Sequence, residues 1–293
     1  MGTETRATAA NAGVIPAEVR EAAMRSEPDR YLAATLAPRS ARPALAAIAA
    51  LAAELARIPA TVSEPALGDI RLQWWRDTLA AARAGTRSGH PIADAVGDAM
   101  QRHSLAHESL AAMIDAREFD LSGGLPQDDA GLAAYLEATE GHAFRLGLGI
   151  VGAPADLIPA IAGPAGIAYG LARSLGRLPM LLHNGGLPLP ADRLRAAGVE
   201  PDALAAPSRT PEVVAGVGQV ATGLTALARA SLSQARACIG SLPRPMRAAL
   251  LPLAMVEPYF RSQSGRPHLK HMAVVTPLSR VVRIGIAHVT GRL

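Results

Sequence analysis

The chain has 293 residues, with 29 Lys and Arg against 25 Asp and Glu, a formal charge of +4, one cysteine, and only 3% aromatic residues among 49% hydrophobic ones. The lone Cys238 excludes an intramolecular disulfide and a multi-cysteine zinc site, which fits a reducing compartment. The basic residues are scattered arginines, with Lys270 the single lysine; that excludes a clustered nucleic-acid stripe and leaves mild attraction to an anionic surface.

Ala and Leu dominate and lose least on entering a helix, so the expected fold class is all-α. The length allows one large core, and we expect a disordered segment over 1–15 and a single helical domain over 16–293. No uninterrupted apolar run approaches the roughly 18 residues of a spanning helix. Ala44 to Ala53 comes nearest and meets Glu54, while residues 1–14 lack the apolar core of a secretory signal. The expected location is therefore cytoplasmic, soluble or peripheral to the inner membrane.

In chain order, a charged amphipathic helix is predicted from Pro16 to about Leu36, interrupted at Pro28, and then an Ala-rich helix from Arg42 to Ile58, stopped by Pro59. Ser63-Glu64-Pro65 reads as a cap opening a helix to about Arg83. Leu67, Ile70, Trp74 and Thr78 form its expected core-facing stripe. Helices follow over 92–102, 105–119 and 128–151, separated by Gly and Pro breaks. The apolar stretch from Asp156 to His183, with Gly163, Gly166 and Gly170 inside it, predicts a buried helix pair in close contact. A short helix over 191–197, a long one over 213–239, one over 245–257 and a looser Arg-rich tail complete the pattern.

Three segments carry a family likeness: Asp29-Arg30-Tyr31-Leu32, the run Val62 to Trp75 containing Arg71 and Trp74, and Met113-Ile114-Asp115-Ala116-Arg117-Glu118-Phe119-Asp120-Leu121. Together they resemble the squalene/phytoene synthase family, closest to a branch that has lost its catalytic carboxylates and includes a mitochondrial assembly factor for respiratory complex I. The resemblance implies the isoprenoid synthase fold, a helical bundle around a central cavity.

Enzymes of that family hold prenyl diphosphates through Mg²⁺, which requires near-octahedral oxygen ligands from carboxylates on facing helices. The positions matched to the first aspartate motif are Ala52, Ala53 and Ala56, with Glu54 the one acid between them. Those of the second are Gly170, Arg173, Arg177 and Leu181, ahead of Leu189-Pro190. Both carboxylate pairs are missing, and two arginines would repel the metal. No catalytic residue and no cofactor is expected.

Glu54 is either a residual ligand or base, or the ion-pair partner of Arg173 or Arg177 across the former site, and we expect the pair, because a buried charge persists when paired. The two arginines would alternatively hold a phosphate or lipid headgroup. Arg71, Trp74, Asp115, Arg117 and Asp120 are candidate cavity or family-motif residues, Arg117 reading as an ion-pair anchor and Trp74 and Trp75 as packing. His103 and His107 have a helical zinc spacing without a third ligand or an intervening acid, so the sequence favours a solvated pair. Cys238 reads as a small core residue, and Gly166 to Gly170 follows no strand and is not a nucleotide loop.

The expected function is thus a non-catalytic assembly or scaffolding factor, with a respiratory-complex subunit or assembly intermediate as protein partner, a retained prenyl or acyl lipid, and an anionic membrane surface. The alternative is a Mg²⁺-dependent head-to-head prenyltransferase.

Overall fold

A computed structural model describes residues 14–62, 64–186, 188–204, 206 and 209–293. Its helices are α1 (Ala17–Ser26), α2 (Pro28–Leu36), α3 (Arg42–Thr61), α4 (Pro65–Arg83), α5 (Pro91–His103), α6 (His107–Leu121), α7 (Asp129–Leu136), α8 (His142–Ile150), α9 (Ile158–Gly176), α10 (Leu178–His183), α11 (Ala191–Ala196), α12 (Pro211–Ile239), α13 (Val256–Gln263) and α14 (Pro277–Thr290). A π-helical turn, Glu137–Gly141, joins α7 to α8, and 3₁₀ segments occupy Pro201–Leu204 and Arg244–Met255. The described residues contain no strand. Ser63, the predicted cap, and residues 1–13 lie outside the described residues.

The core is one contiguous cluster running from Val19 to Ala287. At its centre lies α3, whose residues from Ala44 to Ala53 are all buried. Small side chains on every face let neighbouring helices close around it, as a helix apolar all round must be inside. α3 and α12 are each long and apolar enough by length and composition to cross a membrane, although Glu54 and Arg57 interrupt the one and Arg229 and Arg236 the other. α3 is nevertheless packed into the bundle, and α12 keeps a solvent face bearing Thr222, Arg229, Gln234 and Arg236.

Along the other central helix, α9, Gly166 crosses the π-helical turn so closely that a Cβ there would fall on the backbone of Gly141. A Cβ on Gly170 would come 2.7 Å from Leu136 Cδ2 and 3.1 Å from Glu140 Cγ. The predicted close approach is therefore real, but its partner is the π-helical turn. α10, expected as the other half of a buried pair, is a short helix with only Leu178 buried.

Two further expectations need correction. On α4 the inward face is Gly68, Leu72, Trp75, Leu79 and Ala82. Leu67, Ile70 and Trp74 are 45%, 65% and 41% exposed. The true stripe is one residue, about 100° of helix, away from the predicted one, and it is anchored where Gly68 receives the Leu121 side chain. The tail, expected to be loose, contains α14. Thr276 caps it by accepting from the Ser279 N–H at 3.2 Å, Pro277 takes its first position, and Gly291 at φ 69° ends it.

Candidate functional site

Arg173 on α9 is 7% exposed, so its charge needs buried partners. It finds them in Glu27, between α1 and α2, and Glu140, in the π-helical turn. Its Nη1 donates to Glu27 Oε2 at 3.0 Å and to Glu140 Oε1 at 3.1 Å, while its Nη2 donates to Glu27 Oε1. Arg30 on α2 closes the ring, with Nη1 donating to Glu27 Oε2 at 2.9 Å and Nη2 to Glu140 Oε2 at 2.6 Å. Two carboxylates and two guanidiniums thus alternate in a closed circuit.

Aromatic rings brace it. Arg30 lies 5.1 Å from the Phe144 centroid and 5.0 Å from that of Tyr169, and Arg173 lies 5.2 Å from Tyr169. Such contacts favour a cation that has lost its water. Burial alone would raise the Glu140 carboxyl, but Arg30 and Arg173 overcome it and hold the group at about 2. Both arginines stay charged, because Glu27 and Glu140 outweigh the burial that would favour deprotonation.

Beside the ring, Asp29 is 1% exposed and accepts from Tyr169 Oη at 2.9 Å, Tyr259 Oη at 2.7 Å and Arg280 Nε. Burial followed by the Asp29 charge pushes Tyr259 up to about 12, and the same causes push Tyr169 well above its ordinary value. Both phenols therefore remain donors. Arg177 makes one long contact, to the Ser26 carbonyl at 3.4 Å, and the neighbouring Arg173 charge, followed by burial, lowers its affinity for its proton.

The candidate residues do not all meet. Glu54 pairs with Arg57 one turn along α3, at 2.8 Å. It lines a surface cleft of about 540 Å³ with Ile58, Thr61, Arg71, Trp74, Trp75 and His90, so the predicted link to Arg173 or Arg177 is absent. Helix geometry is the reason: Ala52 and Ala53 turn inward, whereas Glu54 and Ala56 turn toward solvent. In the cleft Arg71 donates to Thr61 Oγ1 at 2.7 Å, and His90 stands edge-on to Trp74 and Trp75 at 5.2 and 5.4 Å.

The 113–121 segment splits in the same way. Asp115 faces out and accepts from Arg76 at 2.8 Å. Arg117 and Asp120 face in, paired at 2.9 Å and joined by Tyr135, whose hydroxyl donates to Asp120 at 2.8 Å. Arg117 is the anchor its setting suggested. His103 and His107 fall on different helices, because Ser104, at φ 48°, ends α5 between them. Cys238 is partly buried on α12, and Leu181 is half-buried on α10.

Comparison with known proteins supplies the lineage. The squalene/phytoene synthase family profile matches residues 23–279. The chain belongs to that family. It is 27% identical over 259 residues to a Bos taurus protein described as NADH dehydrogenase (ubiquinone) complex I, assembly factor 6, covering 86% of this chain and 77% of that one. Its fold is similar to a solved dehydrosqualene synthase, with TM-score 0.75 at 15% identity over 94% of this chain and 95% of the other. A squalene synthase from Alicyclobacillus acidocaldarius superposes with TM-score 0.68 at 18% identity over 86% and 98%.

Within this family the residues present do not fit a Mg²⁺ cluster. Ala52, Ala53, Ala56, Gly170 and Leu181 offer no side-chain oxygen. Of the acids that do reach α9, Glu27 and Glu140 each bind two arginines and Asp29 is taken by two phenols and Arg280, so they have little capacity left for a hard cation. Glu27, Glu140, Tyr169, Tyr259 and Arg280 were not singled out as site residues from sequence, and Asp29 and Arg30 entered only as part of a family-likeness segment. One signal for them existed: a buried Arg173 requires buried acids, and Glu140 stands between the apolar faces of α7 and α8.

Proposed function

We propose that this family member is a non-catalytic scaffold that assists assembly of a respiratory complex. The observation that carries the reading is the Glu27–Arg30–Glu140–Arg173 ring. Where a synthase would present carboxylates to metal and diphosphate, this chain has Arg173 and Arg177, and the nearest acids, Glu27 and Glu140, neutralise Arg173 together with Arg30. Exchanging metal-bound charge for internal ion pairs retains a folded interior while removing the Lewis acid that would stabilise the departing diphosphate in prenyl transfer. The similarity to a complex I assembly factor over most of both chains supports the assembly role, and a protein partner from that complex is the occupant this reading implies.

The test has two arms. Purified protein given farnesyl or geranylgeranyl diphosphate, Mg²⁺ and a nicotinamide reductant is expected to form no C30 or C40 product. Membranes from cells lacking the chain are expected to lose NADH–ubiquinone activity, with recovery on re-expression. Product above a no-enzyme blank would restore the prenyltransferase reading, and unchanged respiratory activity would sink the assembly role.

A further inference from the structure

An amphipathic helix on a bundle normally turns its apolar side inward and its polar side to water. α14 does something else. Its inner side is held down by Ile284 and Ala287, both buried, and by Arg280, bonded to Asp29. The opposite side carries Leu278, Val281, Val282, Gly285, Ile286 and Val289, at consecutive angles around the helix and without a polar residue among them. Leu278 and Val289 are 73% and 72% exposed, and Ile286 is 57% exposed. The segment leading into the helix adds exposed Met272 and Val274.

Charge identifies what this face meets. Residues 258–293 contain no Asp or Glu, while they hold Arg261, Arg266, Lys270, Arg280, Arg283 and Arg292. The 3₁₀ segment packed beneath α14 is also free of acids, and its Arg247 donates to the Gly291 carbonyl at 3.2 Å. An apolar helix face bordered by cations, whose packing partners, the 3₁₀ segment and α2, bring only Asp29, already taken by Arg280, complements the headgroup boundary of an anionic bilayer. A partner protein or a second copy would need matching acids, and this part of the chain has none to offer another copy.

We propose that α14 is a membrane-interface helix that lies in the plane of an anionic lipid surface with Leu278, Val282, Ile286 and Val289 in the acyl boundary. The acid-free rim draws the chain to the surface, and the apolar face retains it. Arg280 is not part of the rim, because Asp29 neutralises it; it ties the inserted helix to the body of the protein.

Co-sedimentation with phosphatidylcholine vesicles, with and without phosphatidylglycerol, tests this without any protein partner, so it can fail or succeed independently of the assembly role. The full chain is expected to bind the anionic vesicles, with an affinity that falls as salt rises but does not vanish. The double variant Leu278→Asp/Val289→Asp is expected to bind about tenfold more weakly or worse. Both side chains are mostly in solvent, so its circular dichroism and thermal midpoint should match the parent. Arg283→Gln/Arg292→Gln is expected to weaken the salt dependence instead. Equal vesicle binding by parent and Asp variant, no binding to anionic vesicles at low salt, or a parent dimer that the Asp variant dissociates would each overturn the proposal.

Discussion

At the scale of single residues, Glu140 belongs, as Glu27 does, to two ion pairs at once, and its partners hold it far below its ordinary value. Its folded-state value of about 2 lies below the ordinary 4.5, so between those values the unfolded chain binds the extra proton. Stability from this group is therefore complete above about pH 4.5 and is lost as pH falls toward 2. Urea denaturation of the parent should show falling stability across that window. Glu140→Gln should be less stable near neutral pH by about 3–5 kcal/mol, the usual cost of stranding a buried charge, and should respond less to acid. An identical acid profile in the variant would mean that another group governs the transition. Gln rather than Ala keeps the volume, so the loss reports charge rather than a cavity.

At the scale of elements, the Gly141–Gly166 crossing sets how close the π-helical turn comes to α9, and thereby brings Glu140 to Arg173. Gly166→Ala would press a methyl against backbone, which cannot swing aside as a side chain can. The expected cost is about 1–3 kcal/mol, read as a lower urea midpoint. Gly149→Ala is the matched control, since a Cβ there meets nothing within 4 Å and replaces a poor helix former, worth up to about 1 kcal/mol in the other direction. If both variants moved the midpoint alike, the crossing would not be the cause.

Elements with strong punctuation were legible in the sequence: the break read at Pro28 and the start read at Pro65 each fall in the first turn of a helix. α14 was missed although Thr276, Pro277 and Gly291 mark its ends, because six dispersed basic residues drew attention to charge in place of the 3.6-residue period. The α4 stripe failed for another reason. Leu67, Ile70 and Trp74 are apolar and so are Leu72, Trp75 and Leu79, and periodicity alone cannot choose between two stripes about 100° apart. Loss of metal ligands was visible from residue types. What replaced them was not, because Glu27 and Glu140 approach Arg173 across separations of 146 and 33 residues.

At the scale of the whole molecule, ligands that bind only the folded state raise its melting point by mass action. Mg²⁺ with inorganic pyrophosphate should leave the thermal midpoint unchanged, since the described residues bring together no cluster of acids free to bind metal. A rise that EDTA reverses would reveal a metal site. A rise that pyrophosphate gives alone would instead assign an anion to Arg177, the arginine of this region without a carboxylate partner among the described residues.

Asp29 also has a meaning in time. Its three partners stand 140, 230 and 251 positions further along the chain. During synthesis this carboxylate appears early and cannot be buried at low cost until Arg280 has emerged from the ribosome. Contacts of such span are slow to form. Until then, the first helices have no completed interior to join, and the segment that supplies the missing cation also carries α14, the helix proposed to meet lipid. On that proposal, the chain acquires its lipid-binding face and the last partner of its earliest buried charge in the same interval of synthesis, so that folding and arrival become a single event.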